Sequence, residues 1–207
     1  VILMNKEEQD IYNLYRINIL SGKLTLIARN PGNVINWVID SKLQLLGMVL
    51  NTDNGGEELV IKGDEEGKWL SLVKWVSEEQ SQNTVIGCSK DDRYIYIIDS
   101  RNTNTCCVAK VEMATGKSNI LAYDMEYDIW DKEDFLYNPA TREIQAVCFN
   151  KFRKEWIILD ETIKEDFEAI KKLDSGDFSV VSRDDSDEIW IIAFERDDGP
   201  VAYYSFN

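Results

Sequence analysis

The sequence predicts an all-β chain of short antiparallel strands in repeated four-stranded units, and three observations carry that prediction. A Gly-Lys pair recurs in one setting. Residues 14–19 run through Ser21-Gly22-Lys23 into 24–27, residues 58–61 through Glu66-Gly67-Lys68 into 69–72, and residues 108–113 through Thr115-Gly116-Lys117 into 120–121. These glycines stand 45 and 49 residues apart. Each fits a hairpin turn that needs positive φ, which glycine adopts without a Cβ penalty. A second turn recurs as Ser89-Lys90-Asp91-Asp92 before 94–98 and as Ser182-Arg183-Asp184-Asp185 before 188–192, offset by 93 residues, about two of the same periods. Thirdly, strand-like segments fall in fours. A period of about 40–50 residues built from short strands is the signature of propeller blades, and four-stranded meanders around a channel describe a β-propeller.

The elements follow in order. Residues 1–5, 14–19 and 24–27 give three strands of a partial blade at 1–29. Residues 34–39, 43–50, 58–61 and 68–75 make a blade at 33–76. Residues 84–88, 93–98, 105–112 and 118–121 make another at 83–122. Residues 129–136, 143–149 and 155–159 supply three strands of a blade at 128–174. Turn residues separate them, as in Asp53-Asn54-Gly55-Gly56, Asn138-Pro139 and Asp197-Asp198-Gly199-Pro200. One segment departs from the pattern. Thr162-Ile163-Lys164-Glu165 has the form of a capping box, and Ile163, Phe167, Ile170 and Leu173 recur at helical spacing before Gly176. A helix of about three turns is expected over 162–173, packed on the blade's side where an outer strand would lie. Residues 178–182, 189–194 and 201–206 give a partial blade at 177–207. The prediction is one β-propeller domain or fragment over 1–207, an arc of about four to five blades.

Composition narrows the function. The chain has 207 residues, 44% of them hydrophobic, enough for a sizeable core. Its formal net charge is -15. That argues against nucleic-acid or anionic-membrane partners, which require clustered Lys and Arg. No apolar run approaches the length of a membrane-spanning helix. The chain opens in Val1-Ile2-Leu3-Met4 without an initiator Met, and reads as a piece of a longer protein. Cys88, Cys106, Cys107 and Cys148 form no CxxC pair and there is no His, so a zinc site is not expected. Free buried thiols point to a reducing compartment, cytoplasmic before periplasmic or secreted.

Catalytic motifs are missing. A Ser-His-Asp hydrolase needs a His to move the proton, and the sequence holds none. Gly87-Cys88-Ser89 and Ser175-Gly176-Asp177 do not make a GxSxG elbow. Gly116-Lys117-Ser118 ends like a phosphate loop, but Val111 stands where that loop needs glycine. The acidic groups Asp184, Asp185, Asp187, Glu188 and Asp131, Glu133, Asp134 lack the spacing of a calcium loop and read as solvated turns. Trp37, Trp69, Trp75, Trp130, Trp156 and Trp190 fall in strand segments and read as packing residues, with room for one or two to line a channel. No catalytic, cofactor-binding or metal-ligating residue is therefore assigned.

The order of motifs resembles a known family. Leu14-Tyr15-Arg16-Ile17-Asn18 before Ser21-Gly22-Lys23-Leu24, then Asn30-Pro31-Gly32-Asn33-Val34 and Trp37, is similar to a propeller stretch of the prolyl oligopeptidase / acylaminoacyl-peptidase family of serine peptidases. Leu159-Asp160, the segment with Phe167, Gly176-Asp177-Phe178-Ser179, Val181-Ser182-Arg183-Asp184 and Gly199-Pro200-Val201 with Tyr203-Tyr204 look like its later blades. The resemblance implies a non-catalytic domain that gates substrate access to an α/β-hydrolase domain of the same parent chain, with peptide substrate passing through it. The catalytic residues of that family lie on the hydrolase domain, so none is carried over. Two other functions fit an acidic propeller: a stand-alone scaffold for protein–protein interaction, and a carbohydrate-active propeller using paired carboxylates. Cut blade edges at either end also imply self-association.

Overall fold

The computed structural model describes residues 1–63, 65, 67–79, 83–129 and 134–207. Among these residues, seventeen strands form five antiparallel sheets. The first holds β1 (Ile2–Met4), β2 (Asn13–Ile17) and β3 (Leu24–Ala28). The second holds β4 (Val34–Ile39), β5 (Leu45–Asn51), β6 (Glu57–Lys62) and β7 (Trp69–Trp75). The third holds β8 (Thr84–Cys88), β9 (Tyr94–Asp99), β10 (Cys107–Glu112) and β11 (Ser118–Ala122). The fourth holds β12 (Phe135–Tyr137), β13 (Ile144–Asn150) and β14 (Lys154–Ile158). The fifth holds β15 (Asp177–Arg183), β16 (Trp190–Glu195) and β17 (Ala202–Phe206). Every sheet is a meander in chain order. The expected start of the fourth set at 129–134 lies largely outside the described residues, as does Trp130.

The turn glycines behave as their spacing predicts. Gly22, Gly67 and Gly116 all have positive φ, between 68° and 78°. The amides of Gly22 and Gly116 close their turns on the carbonyls of Asn18 and Glu112, both at 2.8 Å. The same turn recurs with a non-glycine residue: the Arg142 amide bonds the Asn138 carbonyl at 2.8 Å, and Arg142 has φ 59°. The second repeat needs a correction of register. The left-handed residues of its two turns are Asp92 and Asp187, which stand 95 residues apart. Ser89 therefore corresponds to Asp184, each closing its turn on the amide three residues on. Residue identity pairs Asp91-Asp92 with Asp184-Asp185, two residues short of the match by backbone conformation.

Alternation explains how the sheets stack. In β9, Ile95 and Ile97 share a core with Val38, Val49, Leu59, Ile61, Val73 and Trp75 of the second sheet. Tyr96 and Ile98 turn the other way, onto Phe135, Ile144, Val147 and Phe149 of the fourth. Successive strand residues face opposite sides, so a central sheet that is apolar on both faces binds a neighbour on each. A third core joins Leu136 and Ala146 to Phe178, Trp190, Ile192 and Phe194 of the fifth sheet. Each fully buried Ile or Phe contributes about 1.5–3 kcal/mol by removing apolar surface from water. The second to fifth sheets thus pack against one another in chain order, and the described residues show no closed ring.

The helical segment is shorter than expected and starts differently. A 3-10 turn over Glu161–Ile163 leads into α1 (Lys164–Ile170). Thr162 does not cap it. The Asp160 carboxylate accepts from the Thr162 amide at 3.0 Å and from its hydroxyl at 2.7 Å. A carboxylate is the stronger acceptor at the positive end of a helical turn, so the cap moves two residues back and the threonine becomes a donor. Ile163, Phe167 and Ile170 are buried in the third core, whereas Leu173 is exposed beyond the helix end.

Register shifts recur along the first strand of the second, third and fifth sheets. An extra residue stands between paired neighbours at Ile35 in β4, Ile86 in β8 and Val181 in β15. The sequences at these bulges are Val34-Ile35-Asn36, Val85-Ile86-Gly87 and Val180-Val181-Ser182. In the fourth sheet the extra residue sits on the second strand instead, and it is Gln145. A bulge bends its strand and re-aims a side chain.

Candidate functional site

The Gln145 bulge organises the most developed polar site among the described residues. Its carbonyl accepts the amides of Leu159 at 2.7 Å and Asp160 at 3.0 Å. Its side-chain amide donates to Asp160 at 2.8 Å. Its side-chain oxygen accepts from Arg183 at 2.6 Å. Arg183, at the end of β15, has a side chain only 5% exposed. It also donates to the Tyr137 carbonyl at 2.9 Å, forks onto the Asp187 carboxylate and lies 4.2 Å over the Trp190 ring. One guanidinium thereby ties the fifth sheet to the fourth, and Gln145 passes the link to the cap of the helical segment. Hydrogen bonds from Gln145 first, then Thr162, hold the Asp160 carboxyl below its ordinary range. Asp166 on α1 is pushed up, by burial and then by the nearby Asp187 charge.

Beside this seam a cavity of about 490 Å³ opens between the third and fourth sheets, lined by Tyr96, Lys110, Asn138, Glu143, Gln145 and Asp160. Lys110 bridges the two sheets by an ion pair with Glu143 at 3.2 Å. Its ammonium also sits 4.0 Å from the centre of the Tyr94 ring. The Tyr96 and Tyr137 hydroxyls are buried without a partner, and burial pushes both phenols up. The arrangement is suited to holding sheets in register and to binding.

Two serines make local structural contacts. Ser89 is buried, donates to Asp91 at 2.6 Å and accepts the Tyr94 amide at 3.0 Å, which is a turn-stabilising role. Ser179 receives a hydrogen bond from Lys154 at 2.8 Å, but that ammonium also donates to Glu195 at 3.1 Å. This is the pattern of an ion pair, not of a Ser–Lys catalytic dyad. Gly116-Lys117-Ser118 joins β10 to β11 and opens no helix. In the acidic group at 184–188, Asp184 accepts the amides of Glu188 and Ile189, both at 2.8 Å, and Asp187 pairs with Arg183. Asp131 and Glu133 lie outside the described residues. Among the described residues no three His, Cys, Asp or Glu side chains group as a metal site.

Trp75, Trp156 and Trp190 pack in the cores. Trp75 is buried and donates to Asp99 at 3.1 Å, and Trp156 donates to the Phe178 carbonyl at 3.2 Å while its ring meets Phe167 and Phe178. All four cysteines are buried, and none is in a disulfide. Burial pushes their thiols up, Cys106 and Cys148 to about 12. Such thiols are poor nucleophiles. Arg183, Gln145, Asp160 and Lys110 were not singled out from sequence. The usable signal was Asp160 directly before the helical pattern. Arg183 and Gln145 carry none, because their partners are 38 residues apart.

No family model matches the chain. It is 27% identical over 204 residues to dipeptidyl aminopeptidase BIII of Pseudoxanthomonas mexicana. The match covers 99% of this chain and 29% of that protein. The chain thus spans less than a third of its relative's length, and what it is similar to is part of a peptidase.

Proposed function

We propose that the chain is the non-catalytic β-propeller portion of a prolyl oligopeptidase-like serine peptidase, and that it gates the passage of peptides to a hydrolase domain of the same parent protein. The observation that carries this reading is the near-complete match of the chain to part of an aminopeptidase. It is supported by sheets that stack face to face in chain order, by a sequence without His, and by serines committed to turns and ion pairs. The five sheets serve as successive blades, with the helical segment standing for the outer strand of the fourth. The domain acts by excluding large polypeptides, and contributes no group to bond cleavage.

A chimaera tests this. The matched stretch of dipeptidyl aminopeptidase BIII is replaced by this chain, and fluorophosphonate labelling first establishes that the hydrolase part is folded. Unlabelled chimaera from the same preparation should cleave a chromogenic dipeptide and leave unfolded casein intact. The isolated chain should neither label nor turn over the dipeptide. Labelling of the isolated chain, or casein cleavage by the unlabelled chimaera, would refute the gating role.

A further inference from the structure

The cavity beside the Gln145 bulge is built from the third and fourth sheets and the turns that follow their strands, so its form does not depend on where the chain begins or ends. Its volume of about 490 Å³ falls in the range of small-molecule sites. Leu121, Ile144 and Leu159 supply apolar wall. The charged wall is internally balanced. Lys110 meets Glu143 at 3.2 Å, and Glu161 meets Lys164 at 2.9 Å. The Asp160 carboxylate accepts from the amide and hydroxyl of Thr162 and from Gln145, which is held in turn by Arg183. A charged ligand entering here loses water and finds each countercharge already engaged, which is unfavourable.

The same groups keep hydrogen-bonding capacity of both kinds. Lys110 gives one of its ammonium protons to Glu143 and has others to donate. The Gln145 side-chain amide gives one proton to Asp160 and keeps another. Asn138 uses its side-chain oxygen to accept the Ala140 and Thr141 amides, both at 2.9 Å, so its side-chain NH2 group is the part left to a ligand. On the acceptor side, Glu143 meets Lys110 through Oε1, and the Oδ2 of Asp160 takes the Gln145 proton with a lone pair to spare. Tyr96 also lines the cavity, and its buried hydroxyl, which can donate or accept, has no partner.

We propose that this cavity binds a small uncharged polyol of the monosaccharide class. A hydroxyl group both donates and accepts, and a polyol carries that dual capacity around its ring without a charge. Its hydroxyls take the spare protons of Lys110, Asn138 and Gln145 and donate to Glu143 and Asp160. The C–H face of the ring lies against Leu121, Ile144 and Leu159, where it replaces water on apolar surface. An amine in the same place meets Lys110 as a like charge, and a carboxylate meets Glu143 and Asp160. The site binds and breaks no bond, and it is independent of the peptidase reading.

Titration of the whole isotope-labelled chain with glucose, galactose and mannose, followed by amide NMR shifts, tests it. At least one sugar should give saturable shifts centred on Lys110, Asn138, Glu143, Gln145 and Asp160, with a Kd of about a millimolar. The amino-sugar and uronic-acid derivatives of that sugar, and glycylglycine, should bind about tenfold more weakly or worse. Lys110→Met and Glu143→Gln should each weaken binding by about tenfold. Their ion pair is partly exposed, so the fold should survive either change, as dispersed amide signals verify, and if one variant unfolds the other decides. Asp198→Asn, on the turn after β16, removes a charge outside this cavity and should leave the Kd unchanged. Absence of saturable shifts with all three sugars would overturn the proposal. So would shifts scattered away from the cavity, a charged derivative or glycylglycine that binds as tightly as the neutral sugar, or a folded Lys110→Met or Glu143→Gln variant that binds like the unmodified chain.

Discussion

Replacing Arg183 by Met removes the guanidinium while keeping most of the side-chain volume over Trp190. The fork to Asp187 is lost, and so are the hydrogen bonds to Gln145 and to the Tyr137 carbonyl. Gln145 is buried, so its side-chain oxygen is left without a donor and without water. A buried acceptor stranded in this way costs about 1–3 kcal/mol. Breaking a buried ion pair by removing one partner costs about 3–5 kcal/mol. The contacts share one group and are not additive, so about 3–5 kcal/mol is the expected total. At a urea slope of about 2–3 kcal/mol/M, the unfolding midpoint should fall by about 1–2 M. Arg183→Lys keeps the charge but loses the planar fork, and should fall between the two. A double-mutant cycle with Asp187→Asn should return a coupling of about 1–3 kcal/mol. A loss under about 1 kcal/mol for Arg183→Met would place Arg183 among surface ion pairs and refute its role as the tie between the fourth and fifth sheets.

Other expectations follow from single contacts. Arg142→Gly should raise stability by about 0.5–1 kcal/mol, because φ 59° costs a side-chain-bearing residue more than glycine's extra chain entropy; an unchanged or lower melting temperature contradicts this. Tyr96→Phe and Tyr137→Phe should be neutral or stabilising by up to about 1 kcal/mol, since each removes a buried hydroxyl that has no partner; a clear loss in urea would mean that the hydroxyls are bonded. Asp174 accepts from Arg196, from the Gly176 amide at 3.0 Å and from the Tyr204 hydroxyl at 3.1 Å, and its carboxyl is held down at about 2, chiefly by Arg196. A carboxyl depressed in the folded state stabilises fully above its unfolded value near 3.9, and that stability is lost as pH falls towards 2. The urea midpoint of the unmodified chain should therefore drop more steeply between pH 4 and 2 than that of Asp174→Asn, and parallel curves would refute the assignment.

The amino-acid sequence by itself determined where strands lie and where the chain turns. Alternating apolar residues such as Ile95 to Ile98 specify a two-faced strand from neighbours alone, and Gly22, Gly67 and Gly116 specify left-handed turns because the demand on φ is local. Ile163, Phe167 and Ile170 likewise announced a helix by their spacing. The tertiary structure decided what depends on a distant partner. Asp160 displaced Thr162 as the cap because Gln145 and the turn amides converge on that carboxylate. The extra residues at Ile35, Ile86 and Val181 are defined only by the strand they pair with, so nothing in their own propensity marks a bulge. The Asp187–Arg183–Gln145–Asp160 seam was invisible for the same reason. A charged residue in a strand reads as solvent-facing until the neighbouring sheet supplies a carbonyl, an amide oxygen and an aromatic ring at distances that compensate its burial.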